Sequence, residues 1–312
     1  MLTLIVRRVL LIIPNAILLT ALLFWSVSAL LGSPAGMMLG EDADQEAIAE
    51  LNARYGFDRP ILVQYVDWIG NALQGDFGRS YTTQQSVADA VLPRIPVSLE
   101  LAGFAILLAT LGATILNSIP IARTFLTSFI TGLSVIGITV PNFMLGISLI
   151  YFFSVKLGWL PTTGWVDWSE GVGAHLTHLI MPILTLSAFY FGSFTLVYRA
   201  EYKATYSRLF IVVARAKGLS ETRVSFKHAL PNSILPVITY IGLSLGQLTG
   251  GAVVTETVFS IPGVGRLFVL SITGHDFPIM LAIGILIIIG VMLMNLLADV
   301  LYTVVNPQIR LD

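Results

Sequence analysis

Six stretches of this chain each run for about 20 or more mostly apolar residues, the length at which an α-helix crosses the hydrocarbon core of a bilayer. They extend from roughly Val9 to Leu31, Leu99 to Ile121, Phe125 to Phe153, Leu176 to Tyr198, Ile234 to Val258 and Ile279 to Val304. Lipid supplies no water to satisfy exposed backbone groups, so segments of this length and polarity are constrained to be helices. Composition agrees: 55% of the 312 residues are hydrophobic and 11% are charged, against about a quarter charged in an ordinary soluble domain. The third stretch is overlong and contains Pro141, which predicts a break near Thr139 to Asn142. The first follows Arg7 and Arg8 and exceeds the apolar core of about 7 to 15 residues found in a secretory signal, so it reads as a retained anchor.

Charge is segregated although the formal net value is −1. The loop from Arg199 to His228 carries seven bases, which marks it, and the N-terminus with Arg7 and Arg8, as cytoplasmic. Six spans then return the C-terminus to the same side and place residues 32–97 outside. That region holds nine acids against four arginines. Its apolar residues Leu62, Tyr65, Val66, Ile69 and Leu73 have helical spacing, and Gly75, Asp76 and Gly78 end the run. The expectation is an amphipathic helix that rests on the bilayer or caps the bundle. Cysteine is absent, which excludes disulfides, thiolate metal sites and a cysteine nucleophile.

The most informative stretch is VARAKGLSETRVSFKHALPN, from Val213 to Asn232. Ala214, Arg215, Ala216 and Lys217 form a good helical turn, and Gly218 supplies the backbone freedom to stop it and redirect the chain. Ser220 is placed to cap a second short helix with Glu221 and Thr222 in its first turn, and Pro231 suits entry into the fifth span. The expected product is a helix, a glycine turn and another helix. Setting topology and contacting lipid headgroups is the plain alternative for so basic a loop.

In its ordered spacing this stretch resembles the cytoplasmic loop of ABC-importer permeases, in particular the dipeptide and oligopeptide family, in which ARAKGL and a following HALxN recur. GFDRPILVQYVDWIGNALQGDFGRSY (Gly56 to Tyr81), GGAVVTETVFSIPGVGRLF (Gly250 to Phe268) and NLLADVLYTVVNPQIRL (Asn295 to Leu311) are similar to the external segment, the end of the fifth helix with the loop beyond it, and the C-terminus of that family. The resemblance implies an all-α integral membrane protein with the type I importer permease fold. It would have six transmembrane helices, an external subdomain between the first two (residues 32–97), and a five-helix core over 98–312 carrying the coupling loop 199–230.

The resemblance also implies that Ala214, Arg215, Ala216, Lys217, Gly218, Leu219 and His228 dock on an ATPase subunit, the small residues permitting close approach and the bases meeting polar or acidic groups. Val212 stands where the wider importer family often has glutamate, a departure common among peptide-type permeases, and Val213 replaces their usual threonine. Gly32, Ser33 and Pro34 replace the family's Gly, Asp, Pro, and the connection around Arg123 is shorter and less basic than usual. The implied partners are a second homologous permease, two ATPase subunits that bind ATP and Mg, and an extracytoplasmic solute-binding protein. The implied location is the bacterial inner membrane with both termini cytoplasmic, and the implied solute is a short peptide. Other members of the family carry nickel complexes, glutathione or opines.

Several other signals carry less. No GxxxxGK[ST] occurs, so this chain lacks the cradle for nucleotide phosphates, and Gly263 to Arg266 reads as a turn. His175 and His178 share a helical spacing compatible with metal, yet with no carboxylate cluster nearby they read as helix-end residues, and no metal site is expected. Glu100, Lys156, Glu256 and Asp299 sit at or near span ends. A proton-coupled carrier would usually need acids or histidines at membrane depth, which weighs against secondary transport; the alternative class is a channel or secondary carrier in which the basic loop only sets topology. Asn142, Gln247 and Glu256 are the candidates for lining a translocation pathway. For Asn142 and Gln247, as for Asn117 and Asn295, the competing role is hydrogen bonding between helices. For Glu256 it is pairing with Arg266.

Overall fold

The computed structural model describes residues 2–31, 34–39, 44–119 and 125–305. Gly32 and Ser33, the residues around Arg123, the last residues of the C-terminal stretch and the Asp299 side chain lie outside that description. In chain order the helices are α1 (Leu2–Leu31), α2 (Pro34–Leu39), α3 (Gln45–Tyr55), α4 (Ile61–Leu73), α5 (Val87–Val91), α6 (Arg94–Ser118), α7 (Phe125–Thr139) and α8 (Asn142–Leu149). A π-helical turn (Ile150–Lys156) continues α8, and α9 (Val172–Tyr206), α10 (Leu209–Ala216) and α11 (Glu221–Arg223) follow. A second π-helical turn (Val224–Ala229) leads to α12 (Leu230–Ser233), α13 (Leu235–Val258), α14 (Val264–Thr273) and α15 (Phe277–Val305). Among the described residues there is no β-strand, only an isolated bridge between Arg79 and Ser86.

Five of these helices, α1, α6, α9, α13 and α15, are long and apolar enough to cross a membrane. The third predicted span is broken into α7 and α8, bent by 115°. The cause is Pro141, which has no N–H to continue α7 and disfavours helical backbone at Val140. Val140 N–H closes α7 on the Ile136 carbonyl at 2.8 Å, and Leu145 N–H starts α8 on the Pro141 carbonyl at 3.1 Å. Counted as one broken element, the pair makes six spans.

α9 is the central post, packed by α6, α7 and α13, while α15 packs against α13 and α1. The contact between α6 and α9 is made by residue size. Leu101, Ala105, Ala109 and Ala113 recur every four residues along α6 and all are fully buried, so one face of the helix is a strip of mostly small side chains that admits the neighbouring backbone. α7 meets α9 still more closely: a methyl group on Gly137 would collide with the Ala188 carbonyl, and one on Gly192 with the Ser134 carbonyl.

At one end of the bundle, residues 44–93 build the subdomain. α3 is capped by Asp44, whose side chain accepts the Glu46 N–H at 3.4 Å, and ends at Gly56 in the left-handed region. α4 is the helix expected from the spacing of Leu62 to Leu73. It turns Tyr65 and Trp68 onto Phe24 of α1, with ring centroids 5.8 and 5.6 Å apart. The Tyr65 hydroxyl donates to the Ile17 carbonyl at 3.1 Å and lies 2.8 Å from the Thr20 hydroxyl. Leu62, Val66 and Leu73 remain exposed on its other side. Asp276, at the start of α15, fastens the subdomain from across the sequence. It is buried and accepts the Ser80 hydroxyl and the backbone N–H groups of Tyr81 and Thr82.

The segment 250–268 is not simply a helix end followed by a loop. Gly263 opens α14, a further ten-residue helix. Its signal is the helical spacing of the apolar residues Val264, Leu267 and Phe268, with Ser271 buried on the same helix, a run too short to register as a span.

Candidate functional site

The basic stretch folds at the other end of the bundle. α9 does not stop at Tyr198 but runs on to Tyr206, so Arg199 and Lys203 belong to a helix. Arg208 then has extended backbone and α10 begins. Ile211 and Ala214 turn inward, where they join Val224 and Ala229 in a small core backed by Tyr202, Tyr206 and Leu219. This leaves Leu209 76%, Val212 54% and Val213 44% exposed. Three aliphatic side chains on the open face of one short helix are more than a solvated loop needs.

α10 ends as the sequence requires. Gly218 has φ +76, a left-handed conformation in which a Cβ is strained by roughly 1–2 kcal/mol. Its N–H closes on the Arg215 carbonyl at 2.9 Å. Ser220 caps α11 by accepting the Arg223 N–H at 3.4 Å. Pro231 falls in α12, before the span, and Pro236 occupies the first turn of α13. The helix, glycine turn and second helix expected from the sequence are therefore present, with a π-helical turn inserted between α11 and α12.

The candidate coupling residues occupy different surfaces. Ala214 faces the loop's own core, while Ala216, Lys217 and Gly218 are exposed and Leu219 is half-buried. Arg215 is engaged within the loop: its Nε donates to Glu221 Oε1 at 2.7 Å and its Nη2 to Oε2 at 3.0 Å. The guanidinium lies 5.1 Å from the Tyr206 ring centroid. The hydrogen bond to Glu221 raises the Arg215 pKa above its ordinary value. His228 is half-buried, and its carbonyl accepts the Asn232 amide at 2.7 Å. Residues the sequence reading did not single out are Leu209, Tyr202 and Ser225. The available signal for the tyrosine was the spacing of Tyr198, Tyr202 and Tyr206, one per turn of α9.

The three candidate pathway residues have different surroundings. Asn142 begins α8 beside Gly251 of α13, where an added methyl would come within 3.4 Å of its amide. Gln247 is exposed on α13. Glu256 is fully buried. It takes a hydrogen bond from the Ser98 hydroxyl at 2.6 Å and one from the Arg266 backbone N–H at 2.9 Å. Asn117, another central polar residue, accepts Arg199 Nε at 2.5 Å and so does join helices.

Among the described residues no group of three His, Asp or Glu side chains is placed to hold a metal. His175 is buried with Nε2 2.9 Å from Glu100 Oε1 and Nδ1 2.5 Å from the Val166 carbonyl, stacked on Trp168 at 3.9 Å. His178 Nδ1 lies 2.8 Å from the Ala174 carbonyl.

Two family models match the sequence. Residues 111–311 match the binding-protein-dependent transport system inner membrane component, and residues 1–102 match the N-terminal membrane component of the same transport systems. The chain is 38% identical over 313 residues to the glutathione transport system permease protein GsiC of Escherichia coli (strain K12), covering 99% of both chains. It is 38% identical over 312 residues to the protein of that name in Salmonella typhi, again with 99% of each chain covered. Matches of this extent, on an all-helical bundle with up to six spans, imply ATPase and binding-protein partners and an inner-membrane location. The chain thus belongs to the inner membrane components of binding-protein-dependent transport systems and is a permease subunit of an ABC importer, not an enzyme by itself.

Proposed function

We propose that this permease imports short peptides, glutathione among them, and that the segment 199–230 is the cytoplasmic surface on which an ATPase subunit docks. The observation that carries the docking role is the open apolar face of α10, Leu209, Val212 and Val213, beside the left-handed turn at Gly218. An apolar strip on a short helix outside the bundle core suits insertion into a groove on another protein, with its basic neighbours meeting polar groups there. The relatives named for glutathione support the solute class.

In this reading both termini and the loop are cytoplasmic, and residues 32–97 lie outside. The complex holds a second homologous permease, two ATPase subunits that bind ATP and Mg, and an extracytoplasmic solute-binding protein. Asn142 and Gln247 lie toward the translocation pathway. ATPase closure then switches the pore through contacts that differ between its two states.

Gly218→Trp tests the docking role. No atom lies within 4 Å of a Cβ at this position, so the variant alters the turn and the exposed surface without invading the core. Expected is loss of co-purifying ATPase, or ATP hydrolysis without uptake; normal assembly and uptake overturn the docking assignment. The solute class is tested by competition for uptake of a labelled dipeptide. Inhibition by unlabelled dipeptides and glutathione is expected, and inhibition by neither refutes it.

A further inference from the structure

A chain of buried hydroxyl groups links the basic loop to the ends of the bundle helices. Ser225, in the π-helical turn, Ser118, in the last turn of α6, and Tyr198, on α9, are all fully buried. The Ser118 hydroxyl donates to the Thr114 carbonyl at 2.7 Å, which uses its single hydrogen. The close contact between the Ser118 and Tyr198 hydroxyls must therefore have Tyr198 as donor. Ser225 donates to the Ser118 carbonyl, so in its 2.5 Å contact with Tyr202 it is Tyr202 that donates. Every hydrogen in the chain is thereby assigned, and each points toward the end of α6.

The chain continues at both ends. Tyr202 packs against Tyr206 with centroids 4.7 Å apart and the rings tilted by 38°, and Tyr206 carries the guanidinium of Arg215, which holds Glu221. Next to Tyr198, Arg199 joins the other residue of the α6 end to α7: Nε donates to Asn117 Oδ1 at 2.5 Å, Nη1 to the Thr131 hydroxyl and Nη2 to the Thr127 carbonyl at 3.1 Å. One continuous set of contacts thus runs from α10 and α11 through α9 to α6 and α7.

We infer that Tyr202, Ser225, Ser118 and Tyr198 form a clasp that transmits displacement of the docked loop to the ends of α6 and α7. These are positioning residues, not part of the docking face. The physical reason is the full burial of Ser225, Ser118 and Tyr198, with Tyr202 half-buried beside them: a buried hydroxyl pulled from its partner stays unsatisfied, so the loop and the α6 end move together. Arg199 extends the same constraint to α7, whose far end is the break at Pro141. The inference rests on the docking role proposed for this loop.

The test uses the whole complex, with its ATPases and binding protein, in proteoliposomes. ATP hydrolysis and solute uptake are measured together for Ser225→Ala, Tyr202→Phe and Gly218→Trp. For Ser225→Ala and Tyr202→Phe, assembly and ATP hydrolysis are expected to stay at wild-type levels while uptake per ATP falls about fivefold, the scale of one lost buried hydrogen bond. A merely structural role would lower assembly and leave that ratio unchanged. An unchanged ratio in both, with Gly218→Trp uncoupled, overturns the clasp and leaves the docking role standing. Normal behaviour of all three overturns both. Should Ser225→Ala fail to assemble, Tyr202→Phe and Tyr198→Phe, which each remove one oxygen without opening a void, decide by the same ratio.

Discussion

The carboxyl group of Glu256 accepts the backbone N–H of Arg266 at 2.9 Å, while the Arg266 guanidinium turns away to the Ser260 carbonyl at 2.8 Å. The two residues are paired, but through the peptide group. Glu256 also receives the Gly265 N–H and the Ser98 hydroxyl, and Ser98 in turn accepts the Val264 N–H at 2.8 Å. A carboxyl at the end of α13 therefore satisfies the first turn of α14, whose N–H groups have no partner within their own helix, and fastens both to α6.

Glu256→Ala should destabilise the purified chain by about 2 kcal/mol or more, since it strands buried donors, and Glu256→Gln by less. Thermal unfolding in detergent checks the order. Uptake of free and N-acetylated peptides should fall equally; a loss confined to free amino termini at unchanged stability would return Glu256 to the solute path.

Gly192→Val should weaken the bundle by about 1–3 kcal/mol because its side chain meets the Ser134 carbonyl, a backbone group that cannot swing aside. Gly103→Ala, where no atom lies within 4 Å of the added carbon, should be neutral or slightly stabilising. Equal melting temperatures for the two variants would contradict the close approach of α7 to α9.

Asp276→Ala removes the acceptor shared by Ser80, Tyr81 and Thr82. The segment 74–86 should then become cleavable by protease under conditions in which the parent is resistant. Unaltered resistance would show that the aromatic contacts of Phe24 hold the subdomain alone.

Glu221→Gln should change chain stability by less than about 1 kcal/mol, because the Arg215–Glu221 pair is 39% and 46% exposed and such pairs contribute little. Any loss of uptake in this variant then reports on docking or transmission. A large drop in melting temperature would show that the pair holds the loop together.

Thr83 is exposed on the subdomain, and the chain has no cysteine of its own. In intact spheroplasts Thr83→Cys should react with an impermeant maleimide. Labelling only after lysis would invert the proposed orientation.

The sequence by itself determined the class, the spans, the break and the turn. Run length is enough to require helices in lipid, Pro141 lacks the N–H that α7 would need to continue, and Gly218 is the residue able to take φ +76 without strain. α4 was legible from the helical spacing of Leu62, Tyr65, Val66, Ile69 and Leu73, but the structure divides that set, with Tyr65 against α1 and Leu62, Val66 and Leu73 exposed. What the sequence could not show is which face of each span is covered. Lipid and protein core are both apolar, so periodicity of hydrophobic residues does not distinguish them, and the alanine strip of α6 acquires meaning only against α9. Partners distant in sequence were equally hidden. Ser225 meets Ser118, Asp276 meets Ser80 and Glu256 meets Ser98 because segments far apart along the chain are packed side by side, and a serine carries no local pattern that names its partner. The tertiary structure made those choices, since a buried hydroxyl or carboxyl must find its hydrogen bond wherever the packing brings one within reach.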